Sequence, residues 1–215
     1  MHLSLESLIY VIPAIFLALS LHEFAHGYVS TRLGDPTPGA QGRLSLNPLH
    51  HLDPIGTVCL LFFGFGWAKP VSVNPYYYDD RKKGMVMVAL AGPLMNFILA
   101  FVSLFALGLL WRFGGSFLMN PVGDYLLNLC ASLASINIGL GVFNLIPFPP
   151  LDGSKVLSAV LPSDQYFRLM EYESYGQLLL FALLWLGFLD GPLYYLRSIV
   201  TDGMMSVVSI LLGLG

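Results

Sequence analysis

Charge is what this chain has least of. Only 11% of its 215 residues are Asp, Glu, Lys or Arg, against about 25% in soluble domains. Hydrophobic residues make up 56%, and the mean hydropathy is +0.71. That balance excludes an ordinary soluble domain and points to an integral membrane protein. Ten basic residues against thirteen acidic ones leave a net charge of −3, so no basic surface exists to hold nucleic acid. Cysteine is scarce too. Cys59 and Cys130 both sit in apolar runs, so they read as small core residues and do not suggest a disulfide framework or a thiolate metal site. Met1 to Leu21 contains no Lys or Arg. The opening apolar stretch therefore lacks the basic region of a cleaved signal and is expected to be retained. Repeats and low-complexity stretches are absent.

What remains is a series of apolar runs joined by short connections. The first extends from about Leu5 to Leu33 and stops at Gly34-Asp35-Pro36-Thr37-Pro38-Gly39, since glycine and proline terminate helices. Met85 to Trp111 and Leu126 to Ile146 are long enough to span. Leu178 to Leu189 is expected to add one more span, and Pro192 to Leu214 either spans or lies at the interface, because Arg197 and Asp202 interrupt it. The run Ile55 to Trp67 has only 13 residues, too short for a ~30 Å hydrocarbon core at ~1.5 Å per residue. Alternating pieces flank it, Arg43-Leu44-Ser45-Leu46-Asn47 and Val71-Ser72-Val73. They predict a small β element around a re-entrant segment. The expected fold is an all-α polytopic membrane protein. It has a three-helix catalytic core, one or two C-terminal helices, and that β element with its re-entrant segment. One domain is expected over 1–215, with a core of about 5–160 and C-terminal helices at about 175–214.

Basic residues favour the cytoplasmic side. Arg32, Arg43, Lys69, Arg81, Lys82, Lys83, Lys155 and Arg168 are eight of the ten, and they fall in three regions: 32–53, 68–84 and 150–174. All three share a side only if 55–67 enters and leaves by the same face. The first helix then ends inside, 85–111 goes out and 126–146 returns. Three motifs converge under that topology: His22-Glu23-Phe24-Ala25-His26, Asn96, and Leu151-Asp152-Gly153.

The first of these carries the chemistry. HExxH on a helix places two histidines at i and i+4 on one face with a glutamate beside them. Zinc accepts neutral imidazoles, and the glutamate can take a proton from water that the metal activates. Chance produces HExxH in on the order of one per cent of chains this long. It would usually fall on a polar surface helix, whereas Leu8 to Leu21, which precedes it, has no charged residue. A catalytic zinc needs a third protein ligand. Asp152 is the best candidate: Pro147, Pro149 and Pro150 break the preceding helix and can aim it into the bundle. In isolation Asp152-Gly153 reads as a turn at a helix exit; beside HEFAH it reads as a ligand.

In order, HEFAH, Gly92-Pro93-Leu94-Met95-Asn96 and Asn144-Leu145-Ile146-Pro147-Phe148-Pro149-Pro150-Leu151-Asp152-Gly153 resemble the pattern of the site-2 protease family, the intramembrane zinc metalloproteases. Gly42 to Pro48, His51 to Gly56 and Trp67 to Pro75 resemble its compact prokaryotic members, and the likeness covers roughly residues 8–160. No PDZ or CBS domain accompanies it. The resemblance implies one Zn2+ held by His22, His26 and Asp152, with Glu23 as general base and then proton donor. It implies roles for Asn96 and Asn144 in binding substrate or supporting the transition state; from the residues alone, each Asn can simply bridge helices, though Asn144 stands next to the loop that carries Asp152. The implied activity is hydrolysis of peptide bonds in membrane-anchored or transmembrane proteins, in the cell membrane, with the site nearer the cytoplasmic face. The partners would be that substrate and the bilayer. A metal transporter or sensor, or a non-catalytic relative that binds membrane proteins, is the alternative. His50 and His51 read as an interfacial loop, with His51 and Asp53 a weaker gating pair. Tyr76 to Tyr78 read as an interfacial belt.

Overall fold

The computed structural model describes residues 5–51, 53, 55, 56, 59, 69–162, 165, 168 and 171–214. Within them the protein is all-helical. The main helices are α1 (Leu8–Arg32), α2 (Arg81–Phe113), α3 (Pro121–Asn144), α4 (Asp152–Val160), α5 (Glu173–Trp185) and α6 (Asp190–Leu212). Four of these, α1, α2, α3 and α6, are long and apolar enough to cross a membrane. This is a multi-pass membrane protein.

Local chemistry sets the helix ends. The Asp80 carboxylate accepts from the Lys83 N–H and caps α2. Asn120 accepts from the N–H groups of Val122 and Gly123, with Pro121 at the first turn of α3, where its missing N–H is harmless. Gly213 ends α6 in the left-handed region at φ 59°, a conformation glycine enters without a Cβ clash.

Polar contacts give the helix directions. Along α1, His22 meets Asn96, His26 meets the Val88 carbonyl, and Ser30 meets Tyr78. As α1 advances, its partner recedes, so α1 and α2 are antiparallel. Just past α1, Asp35 accepts from the Asn74 N–H at 2.7 Å. The connection between α1 and α2 therefore starts and finishes on one face. At the other end Tyr125 donates to the Ile9 carbonyl, so α3 runs parallel to α1. Asp152, just beyond α3, is then delivered to the level of His26.

Small residues permit close helix approach. Ala14, Ala18, Ala89 and Ala100 are wholly buried, as expected where lipid is as apolar as the interface and packing alone must hold helices together. The core joins Ala100 and Leu104 of α2, Ala134, Ile138 and Val142 of α3, and Val208 of α6. At Gly108 a Cβ would come within 2.6 Å of Leu212 and 3.1 Å of Val208. That contact is where α6 seats on α2. Ile98, Val102, Ile199 and Ile210 point outward and are exposed, which suits lipid.

Three expectations are corrected. Leu44–Leu46 and Val71–Val73 are irregular backbone, and no strand is present among the described residues. The Val71 N–H bonds Glu23 and the Asn74 N–H bonds Asp35, so side chains take donors that a ladder would need. The apolar run beginning at Leu178 belongs to α5, which has 13 residues, roughly 20 Å at the helical rise and too short to span; the longer C-terminal helix, α6, joins the bundle instead. Tyr76 and Tyr77 are exposed, but Tyr78 is buried, with its hydroxyl 2.7 Å from Ser30 Oγ. The expected re-entrant run 55–67 lies outside the described residues apart from Ile55, Gly56 and Cys59.

Candidate metal centre

His22 and His26 are buried one turn apart on α1, with Nε2 atoms 3.0 Å from each other. Asp152, the first residue of α4, puts Oδ2 3.1 Å from both. These separations approach the edge of a zinc tetrahedron, about 3.3 Å for bonds of ~2.0 Å. The residues behind the ring decide what its atoms are. His26 Nδ1 lies 2.7 Å from the Val88 carbonyl, which can only accept. His22 Nδ1 lies 2.6 Å from Asn96 Oδ1, also an acceptor. Both imidazoles therefore carry their proton on Nδ1 and face each other with bare Nε2 lone pairs. Asp152 adds a third lone-pair donor atom. Three such atoms within 3.1 Å repel one another unless positive charge lies among them, and a divalent cation satisfies all three together.

The surroundings leave room for it. A Cβ on Gly92 would lie 2.4 Å from His26 Nε2 and 2.7 Å from His22 Nε2. Glycine at that position keeps the space beside the two nitrogens open. Gly153 is required for a different reason: a Cβ there would sit 2.4 Å from the Leu145 carbonyl oxygen, so only glycine lets α4 turn back against the end of α3. Asp152 Oδ1 accepts from Lys155 Nζ at 3.4 Å.

Glu23 is half-buried and lies outside the three-residue cluster. Its Oε2 accepts from the Val71 N–H at 2.9 Å. Val71 also packs against Gly27, where a Cβ would be 3.3 Å from its methyl. A cavity of about 400 Å³ opens in front of the ring, lined by Glu23, Val71, Met85 and Asn144, with Phe181 and Leu184 of α5 closing one side. α5 reaches that place by close contact: a Cβ on Gly176 would be 2.8 Å from the Pro149 carbonyl oxygen.

The structure thus gathers His22, His26 and Asp152 around one point and sets Glu23 and Asn144 on the cavity. Asn144 donates its amide to the Leu140 carbonyl of its own helix. Asn96 is fully buried and stands behind His22. His51 is buried against the Ser45 carbonyl, and Asp53 caps the Gly56 N–H; neither joins the ring. Sequence reasoning missed Val88, whose contact is through backbone, and Lys155, whose i+3 spacing from Asp152 was a readable signal.

Two imidazoles, a carboxylate and a separate glutamate over a cavity are the equipment of a metallopeptidase. Comparison with known proteins agrees. The model of Peptidase family M50 matches residues 118–187. YwhC of Bacillus subtilis is 37% identical over 174 residues, 81% of this chain and 79% of that protein. Rip2 of Mycolicibacterium smegmatis is 30% identical over 182 residues, 82% of this chain and 66% of its own. Zinc metalloprotease MJ0392 of Methanocaldococcus jannaschii is 28% identical over 149 residues, covering 68% of this chain and 33% of its own. No solved structure matches. The chain belongs to peptidase family M50, the site-2 protease family, and is a zinc metalloprotease.

Proposed function

We propose that this enzyme is an intramembrane endopeptidase that cuts membrane-anchored or transmembrane proteins, with one zinc ion held by His22, His26 and Asp152. The observation that carries the reading is the ring of three bare donor atoms within 3.1 Å of one another, buried among apolar helices. A zinc ion bound there supplies Lewis acidity, polarising a peptide carbonyl and acidifying water. The chain's own groups do the rest. Glu23 takes the proton of the attacking water and later delivers it to the leaving amine. Because Oε2 is engaged by the Val71 N–H, Oε1 moves the proton. Asn144 lies on the cavity wall, which supports a role in binding substrate.

The depth of the site supports a membrane substrate. His22 is ten residues before the end of α1, roughly 15 Å along the helix. A helical substrate at that depth hides its carbonyls in hydrogen bonds and must unwind to enter. The concentration of basic residues at the same end as Asp152 supports a site nearer the cytoplasmic face. Glu23, on the cavity and outside the ligand cluster, favours hydrolysis over metal transport. The test is purified wild type against Glu23→Gln on a library of single-span substrates, with bound zinc measured in both. Zinc should stay and turnover should fall by about 10²–10⁴-fold. Cleavage persisting in Glu23→Gln would sink the reading, and zinc flux through wild type without proteolysis would favour a transporter.

A further inference from the structure

Behind the ring, a chain of side chains crosses three helices. Asn137 of α3 and Asn96 of α2 are both completely buried, at 0% exposure. Asn137 Nδ2 donates to the Leu133 carbonyl at 2.8 Å. Asn96 Nδ2 donates to Asn137 Oδ1 at 2.8 Å. His22 Nδ1 then donates to Asn96 Oδ1 at 2.6 Å. An amide has a donor end and an acceptor end, and turning it over exchanges them. The orientation of Asn96 therefore decides whether His22 meets an acceptor or a donor. Facing an acceptor, the imidazole keeps its proton on Nδ1 and leaves Nε2 bare. Facing a donor, it would carry the proton on Nε2 and present N–H to the ring.

What holds Asn96 the right way round? One anchor is the Ala18 carbonyl, at a long 3.4 Å from Nδ2. The other is Asn137 Oδ1, at 2.8 Å. Asn137 is itself fixed by the Leu133 carbonyl, which can only accept and so compels Nδ2 to face it and Oδ1 to face Asn96. Polarity starts at a backbone carbonyl of α3 and arrives at a side chain of α1. No apolar side chain of similar size at 137 could transmit it. His26 needs no such chain, because the Val88 carbonyl meets it directly.

We infer that Asn137 is a positioning residue for the metal site, acting through Asn96 to keep His22 in the tautomer with a bare Nε2. This rests on the reading of His22, His26 and Asp152 as the zinc ligands. Partners that orient a ligating histidine typically contribute 10–100-fold to metal affinity. Asn137 touches neither substrate nor metal, so its effect is on zinc retention first and on turnover only through it.

The test uses the full-length chain in detergent, with zinc affinity from chelator competition and Tm recorded alongside. Asn137→Leu removes the acceptor and should weaken zinc binding by about 10–100-fold. Asn137→Asp keeps an oxygen toward Asn96 in either protonation state. It should hold zinc within about threefold of wild type even though a buried carboxyl lowers Tm. A merely structural Asn137 would make zinc affinity track Tm across both variants. Unchanged zinc affinity in Asn137→Leu would overturn the inference, as would a loss of tenfold or more in Asn137→Asp, which remains decisive if Asn137→Leu fails to fold. Wild type that binds no zinc would overturn the ligand assignment itself, a result distinguishable from either.

Discussion

Adding one methyl group at Gly92 should disable the metal site while leaving the bundle folded. The Cβ of Gly92→Ala would lie 2.4 Å from His26 Nε2, 2.6 Å from His22 Cε1 and 2.7 Å from His22 Nε2. Ordinary contact is about 3.5–4.0 Å, so one or both imidazoles must retreat by roughly 1 Å. Neither can do so freely. His22 is tied to Asn96 and His26 to the Val88 carbonyl, and Gly92 sits on α2, packed against α1 along its length. Zinc tolerates distance errors of only about 0.2 Å. Moving a ligand itself should therefore exceed the 10–100-fold loss seen when only its supporting partner is changed; we expect a zinc affinity at least about 100-fold weaker. Overpacking of this kind costs about 1–3 kcal/mol of stability, so most of the protein should still fold. Zinc per protein by elemental analysis, Tm in detergent and substrate cleavage together check it. Full zinc occupancy with normal turnover in Gly92→Ala would refute both the ligand assignment and the stated reason for glycine at 92.

Two further perturbations test the frame around the site. Asp35 is fully buried and accepts from Ser30 Oγ at 2.7 Å, the Thr37 N–H at 2.9 Å and the Asn74 N–H at 2.7 Å. Burial by itself would raise its carboxyl, but these bonds together hold it below its ordinary value. A carboxyl lowered on folding contributes stability that is complete above its unfolded value, about 3.9, and is lost as pH falls through the lower folded value. Asp35→Ala should therefore lower Tm at pH 7 and flatten the acid limb of a Tm-against-pH curve below about pH 4; an acid limb identical to wild type would rule out this role. Gly108→Leu should unseat α6 from α2, because Leu212 and Val208 already occupy the space. We expect a lower Tm by about 1–3 kcal/mol of destabilisation, with zinc affinity unchanged because the ring lies on α1 and α4; a parallel loss of zinc would show that α6 supports the site.

Much of this protein was legible without coordinates, and the reason is locality. A run of some twenty apolar residues spans whatever surrounds it, since no other structure satisfies its backbone in lipid. The runs ending at Leu33, Trp111 and Ile146 thus anticipated α1, α2 and α3. HEFAH is equally local, because the i, i+4 spacing alone puts both imidazoles on one face. Asp152 was reachable through the prolines before it and Gly153 after it. The alternating stretches misled because alternation reports only the wish to pair. Val71 and Asn74 spend their N–H groups on Glu23 and Asp35.

The sequence by itself determined that the protein lives in a membrane, which helices cross, and which two imidazoles share a face. Only the tertiary structure decided that Asp152, 126 residues from His26, closes the ring, and that Asn96 stands behind His22. It alone showed why Gly92 must lack a side chain. It alone gave the direction of the amide chain from Leu133 through Asn137 and Asn96 to His22. The physical reason is that a hydrogen bond has a donor and an acceptor, and which end a side chain presents is set by partners brought from other helices. A residue name records that an amide is present; its neighbours in space decide which way it faces.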